Sequence, residues 1–141
     1  MKALFYTLIF ISCLTSLQAQ AGKCKTETDK ETKREYYVVA DIESNAPYGF
    51  SALEFIQANF RLPKREFRKK DKISFSWIVE PTGALTFLKM NSFKEDKDIL
   101  EETKRIISLM PNYAPSFCGK AKVPFKMDIT FSVEWLKKGL Q

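Results

Sequence analysis

The stretch ISFSWIVEPTG at residues 73–83 decides the fold, because it holds a strand and the turn that reverses it. Every second residue from Ile73 to Val79 is apolar, which is the period of a strand with one strongly apolar face. The turn EPTG then combines a proline with preset φ and a glycine free to take positive φ. Residues 85–89 (LTFLK) alternate again, so the segment predicts an antiparallel hairpin.

A strand and a helix are predicted before this hairpin. Residues 36–42 (YYVVADI) are β-branched and aromatic, which is typical of a strand. Ser51 and Glu54 form a capping-box pattern at the start of a helix, and Pro63 ends it.

A second helix and a final strand are predicted after the hairpin. Residues 97–110 carry apolar side chains at helical intervals, and Pro111 stops them. Apolar and polar residues alternate after Val123, which predicts one long, half-buried strand that runs to residue 135. The order is β-α-β-β-α-β, and we predict an α+β fold with two helices packed on one face of a small antiparallel sheet.

The N-terminus has the pattern of a secretory signal. Lys2 precedes an apolar run that ends near Leu17, and residues 19–21 (AQA) place small residues at the cleavage positions. The alternative is a lipoprotein signal acylated at Cys13, although residues 10–12 (FIS) lack the usual leucine. We expect a periplasmic or secreted protein without stable membrane insertion.

These patterns divide the chain into four parts: a cleavable signal peptide at 1–21, a polar leader at 22–35, one domain at 36–136 and a tail at 137–141. The remaining 120 or so residues after cleavage are about the size of a single domain. The leader is rich in Lys, Glu, Thr and Asp, which predicts a solvated segment.

The 141-residue chain contains no histidine, which excludes Ser-His-Asp and Cys-His catalysis and His-containing zinc sites. We therefore expect neither an enzyme nor a bound cofactor or metal. Signal cleavage would leave Cys24 and Cys118, an even number of cysteines in an exported chain. A disulfide between them is the prediction for an oxidising compartment, with two unpaired thiols as the alternative.

The segment MPNYAP at residues 110–115, together with its surroundings, is similar to the TonB C-terminal domain family of gram-negative envelopes. The likeness covers about residues 36–135. Its other parts are YVV at 37–39, PYG at 47–49, AL at 52–53, LP at 62–63, Val79, Gly83, LEE at 100–102, II at 106–107, Gly119 and Val123. Tyr113 stands where the family usually has tryptophan, Ser116 where glycine is common, and YG at 48–49 where glycines are paired. The chain thus resembles a divergent member.

The resemblance implies β-augmentation, in which the domain adds an extended segment of an outer-membrane transporter to its sheet. The final strand would be the partner-binding edge, through Val123, Phe125, Met127, Ile129 and Phe131. The alternative is that the strand at 36–42 already covers this edge.

Energy transducers of the family also keep a membrane anchor and a long Pro-rich span, whereas this chain has a cleavable signal and about a dozen polar residues. At about 3.3–3.6 Å per residue such a leader could not cross the periplasm. A stand-alone binding module with an envelope protein as partner is what the resemblance implies, and a homodimer is left open.

Residues 64–72 (KREFRKKDK) form a basic run around one aromatic residue. The basic residues are Lys64, Arg65, Arg68, Lys69, Lys70 and Lys72. They suggest an alternative function, that of a structural envelope protein that contacts anionic lipid or glycan through this loop. A merely solvated loop is the plainer interpretation. No nucleic-acid recognition motif accompanies the run, so we expect no nucleic-acid partner.

Overall fold

The computed structural model describes residues 23–139, and the predicted signal peptide at 1–21 lies outside these described residues. In chain order the elements are β1 (Lys25–Thr28), β2 (Glu35–Val39), α1 (Ala52–Asn59), β3 (Lys72–Val79), β4 (Leu85–Met90), α2 (Lys97–Leu109), β5 (Ser116–Cys118), β6 (Ala121–Val123), β7 (Phe125–Ser132) and α3 (Val133–Lys138). The mixed α+β class is confirmed. None of the helices within 23–139 has the length and apolar character needed to cross a bilayer.

The main sheet has the order β1-β2-β7-β3-β4, and β5 and β6 form a separate two-stranded hairpin. All neighbours in the main sheet are antiparallel except β2 and β7, which are parallel. The predicted β3–β4 hairpin is present, and β3 is the central strand of the β7-β3-β4 unit. The sheet is therefore mostly antiparallel.

The core lies between the three helices and one face of the sheet. Alternate β3 residues point into it, and Phe75, Trp77 and Val79 are almost fully buried. Ile56 of α1, Ile106 of α2 and Leu136 of α3 belong to the same apolar cluster. The helical spacing of α2 and the strand period of β3 place these side chains on facing surfaces.

The turn of the β3–β4 hairpin is joined to the MPNYAP segment at residues 110–115. The amide of Tyr113 donates a hydrogen bond to the Gly83 carbonyl at 2.8 Å. Gly83 has φ +88°, and a Cβ at this position would collide with the carbonyl oxygen of Tyr113. Glycine is therefore needed here for both its conformation and its close approach. Burial also raises the pKa of the Tyr113 phenol.

The predicted polar leader at 22–35 is wrong in one respect, because it contains β1. This strand pairs antiparallel with β2, and all four of its side chains are exposed. The turn between them folds over the opposite face of the sheet, where Arg34 pairs with Glu80 at 2.6 Å and Asp29 with Lys89 at 2.9 Å. This strand forms through its pairing with β2 and not through a local sequence pattern. Its own sequence has no apolar alternation, and for this reason it was not predicted.

The predicted final strand is also shorter than expected, and a third helix follows it. Pro124 separates β6 from β7, since proline cannot donate to a continuous ladder. At the other end, the Ser132 hydroxyl accepts a hydrogen bond from the Trp135 amide at 3.0 Å and caps α3. The predicted tail at 137–141 thus begins inside a helix.

Candidate functional site

Strand β7 is paired along its whole length with one neighbouring strand and at a single position with the other. All eight of its residues pair in regular register with β3, from Phe125 beside Val79 to Ser132 beside Lys72. On the other side, β2 meets β7 at a single pair, Tyr37 beside Phe125, where the Tyr37 amide donates to the Pro124 carbonyl at 2.8 Å. The alternative that the strand at 36–42 covers this edge is therefore correct in part. β2 is the neighbour of β7 in the sheet, but beyond Phe125 no strand of residues 23–139 pairs with this side of β7.

The open edge offers the backbone groups of alternate residues. Because the carbonyl of Pro124 faces β2, the period of two directs the N–H and C=O groups of Asp128 and Thr130 to the same side. The groups of Met127 and Ile129 point to β3 instead. The unpaired hydrogen-bonding groups thus belong to the even-numbered residues.

The five residues predicted at the edge have separate positions. Val123 lies in β6 and pairs with Ser116, so its assignment to the final strand was wrong. Phe125 is covered by Tyr37, and Phe131 is buried in the core. Met127 and Ile129 are half-buried on the helix side of the open edge. The apolar alternation predicted the strand, but it does not indicate which backbone N–H and C=O groups lack a neighbouring strand.

The two outer edges of the sheet have features that discourage further pairing. β1 is only four residues long, is charged, and has a register shift between Lys25 and Thr26. β4 has a bulge opposite Ser76 and Trp77 and carries Lys89. Short strands, bulges and lysines are common protections of exposed edges. The eight pairs of β7 with β3 contain no such shift.

A row of polar side chains on the face opposite the helices fixes β7 against β3. Ser76 donates to the Asp128 carboxylate, and Lys126 lies 3.0 Å from the other oxygen of Asp128. Thr130 donates to the Ser74 hydroxyl at 2.8 Å. The two cross-strand pairs, Ser76 with Asp128 and Ser74 with Thr130, stabilise the register. The open edge is therefore part of a well-fixed strand.

The basic run at 64–72 is divided by the structure into two groups. Arg65 pairs with Asp96, the N-cap residue of α2, and Arg68 pairs with Asp71 at 3.1 Å. The remaining four predicted contacts, Lys64, Lys69, Lys70 and Lys72, have no ion-pair partner among residues 23–139, and all six side chains are exposed. The two arginines thus fix the loop, one to α2 and one within itself, which the composition of the run could not show.

The predicted disulfide is present. Cys24 and Cys118 are bonded with a Cα–Cα distance of 6.1 Å, and they link the start of β1 to β5 across 94 positions of sequence. Asp41 lies near both sulfur atoms, and its carboxylate accepts a hydrogen bond from the Gly119 amide at 2.7 Å. Metal binding by cysteine requires thiolates, so the bonded pair is not a ligand set.

Comparison with protein-family models, curated proteins and solved structures finds no match to this chain. The β7 edge and the basic loop are therefore candidate binding sites on their geometry alone.

Proposed function

We propose that this protein is an exported, stand-alone binding module of TonB C-terminal type, which adds an extended segment of an envelope protein to the open edge of β7. The observation that carries the proposal is the single residue pair between β2 and β7. Among residues 23–139, it leaves the edge without a paired strand from Met127 to Ser132. A partner strand there would continue the sheet on a template that β3 already holds in register.

The energetics of this mode favour a fixed edge. Each backbone hydrogen bond contributes about 0.5–1.5 kcal/mol net, so a short segment gains only a few kcal/mol from pairing. Ordering a mobile strand would consume much of that gain. The contacts of Asp128 and Thr130 with β3 hold the template before binding, so the partner's ordering is the main conformational cost.

The proposed partner is an envelope protein, with an exposed segment of an outer-membrane transporter as the first candidate. The proposed location is the periplasm or the exterior of the cell. Both follow from the predicted signal and from the TonB-like segments. The 94-position disulfide suits an oxidising compartment and supports the same location.

Thr130 allows a test that separates backbone pairing from side-chain contact. Thr130→Pro removes the N–H that faces the open edge, whereas Thr130→Val keeps that N–H and removes only the hydroxyl. A photo-crosslinking residue at Lys126 would capture the partner in envelope extracts, and a synthetic peptide of the captured segment would then be titrated. We expect Thr130→Pro to weaken peptide binding by at least tenfold and Thr130→Val to leave it nearly unchanged.

Amide hydrogen exchange provides a second readout. On peptide binding, the amides of Asp128 and Thr130 should become protected, while those of Met127 and Ile129 are already protected by β3. Equal peptide affinity of Thr130→Pro and wild type, or crosslinks only between copies of this chain, would rule out the proposed heterologous pairing.

A further inference from the structure

The basic loop at residues 64–72 lies against α3, and the two form one surface. The carbonyl of Asp71 accepts a hydrogen bond from the Val133 amide at 3.0 Å, at the first residue of α3. The ammonium of Lys137 lies 5.7 Å from the centre of the Phe67 ring. The last turn of α3 therefore places Lys137 beside the loop, and Lys138 belongs to the same turn.

The loop is also fixed to the opposite helix. The Arg65 guanidinium stacks on Phe67 at 4.9 Å and on Phe93 at 6.0 Å, and it pairs with Asp96 at the start of α2. Cation–π contacts of this kind add to the ion pair. The lysines thus project from an anchored backbone.

Five lysines of the loop and of α3 have no carboxylate within ion-pair distance among residues 23–139, and all are exposed: Lys69, Lys70, Lys72, Lys137 and Lys138. Lys64, at the start of the loop, instead lines a pocket with Asp98, Glu101 and Glu102 of α2. Glu66 and Glu134 are the exposed acidic residues within the same segments. The surface therefore carries a strong positive excess in a chain whose formal net charge is +6.

We propose that this lysine surface, formed by loop 64–72 and α3, binds the anionic phospholipid face of a membrane. The residue types favour a membrane over a specific phosphate ligand or a nucleic acid. Arginine provides the planar, bidentate recognition of single phosphates. Both arginines of the loop pair with aspartates, Arg65 with Asp96 and the largely exposed Arg68 with Asp71 through its Nε atom. The free groups are lysines, which act as point charges and suit the diffuse charge of a lipid surface.

This inference does not depend on the proposed function of β7, because it uses side-chain charge and not backbone pairing, although the lysine surface adjoins the Ser132 end of the open edge. Lys72 and Ser132 are paired at one end of the β3–β7 ladder. Lys120 and Lys122 belong to the β5–β6 hairpin, next to Pro124 at the other end. Eight strand residues span about 25 Å, so these two lysines provide a matched control at a distance.

Vesicle co-sedimentation of the chain without residues 1–21 tests the proposal. The vesicles would be phosphatidylcholine alone or phosphatidylcholine mixed with phosphatidylglycerol. Binding should occur only to the mixed vesicles and should weaken as salt is raised. Each lysine near an anionic bilayer contributes about a fivefold factor in affinity, so each double substitution should reduce binding about 20–30-fold.

Two test pairs and one control pair distinguish a joint surface from a loop alone. Lys69→Gln with Lys70→Gln removes charge from the loop, and Lys137→Gln with Lys138→Gln removes it from α3. Lys120→Gln with Lys122→Gln removes the same charge from the far end of the sheet. Both test pairs should lose binding and the control pair should lose much less, while Lys137→Arg with Lys138→Arg should retain it.

Three results would overturn the proposal. They are an unchanged affinity of the α3 pair, an equal loss in the control pair, and complete displacement by soluble polyphosphate at equal charge concentration. The last would indicate binding to polyanions in general. Thermal unfolding of every variant shows that each one folds, and these exposed lysines should change the melting temperature little.

Discussion

Asp29 is a buried carboxylate that organises the turn between β1 and β2. It accepts hydrogen bonds from the amides of Glu31 and Thr32 at 3.1 and 2.9 Å, and from the Thr32 hydroxyl at 3.1 Å. Its other oxygen lies 2.9 Å from the ammonium of Lys89. The Thr32 amide, followed by Lys89, holds the pKa of the Asp29 carboxyl well below its ordinary value of 3.8.

A depressed pKa has a definite consequence for acid stability. The folded state binds the proton of Asp29 less readily than the unfolded state, so its contribution is present above about pH 4 and is lost as the pH falls below that value. We expect the free energy of unfolding of the wild type to decrease between about pH 5 and pH 2. Asp29→Asn should be less stable at neutral pH and should show a shallower decrease with acid.

Denaturant unfolding at a series of pH values measures both effects. Glu31→Gln is a suitable control, because its carboxylate is exposed in the same turn and only its backbone amide contacts Asp29. Parallel pH profiles of Asp29→Asn and wild type would show that the acid dependence arises elsewhere.

At the scale of elements, the sequence predicts what local patterns determine. β3, β4 and α2 lie where apolar periodicity and the EPTG turn place them, because each element buries one regular face. β1 is a different case: its four exposed residues become a strand only through pairing with β2. α3 was missed because Val133 and Trp135 continue the strand alternation, while the Ser132 cap redirects the chain.

The candidate site was predictable to the same limited degree. Strand alternation located β7, but the free edge depends on where β2 diverges after Tyr37, which is a long-range feature. The lysine run at 64–72 was visible in the sequence. The proximity of Lys137 to this loop was not, because it depends on the packing of α3 against the loop. Contacts between segments far apart in the chain are not encoded by local period.

Asp96 links the stability of an element to that of the basic loop. Its side chain caps α2 by accepting a hydrogen bond from the Ile99 amide at 3.1 Å, and it also pairs with Arg65. Asp96→Ala should destabilise the protein by about 1–2 kcal/mol, since it removes the cap and the ion pair. Asp96→Asn keeps a capping oxygen and should cost less than half as much.

Arg65→Met separates these two contributions in denaturant unfolding. It keeps the α2 cap and an apolar stem against Phe67, and it should resemble Asp96→Asn in its cost. If Asp96→Asn is as damaging as Asp96→Ala, then the ion pair rather than the cap is the dominant contribution.

At the scale of the whole molecule, the sheet has two faces with different construction. The helix face carries the large core around Phe75 and Trp77. The other face has a small apolar cluster of Tyr36, Ile78 and Leu88, which the β1–β2 hairpin covers. One pair with β7, two ion pairs and the disulfide complete the attachment of this hairpin to the main sheet.

Loss of the disulfide should therefore loosen the hairpin before the rest of the protein. Cys24→Ser with Cys118→Ser should lower the free energy of unfolding by about 2–5 kcal/mol, the usual range for loss of a native disulfide. Under native conditions, hydrogen exchange should accelerate in residues 25–39. The amides of β3 and of β7 that face each other should stay protected, because their eight pairs do not involve the hairpin.

Mass-spectrometric hydrogen exchange on peptides of β1–β2 and of β3 compares the two regions directly. Tyr36→Ala in the disulfide-intact protein serves as a second perturbation, since it removes the hairpin's apolar anchor on Ile78 while keeping the covalent link. Both variants should affect the same peptides. Uniform acceleration across β3 and β1–β2 would instead mean that the hairpin and the helix-covered sheet unfold as one cooperative unit, and that the small cluster stabilises the whole molecule.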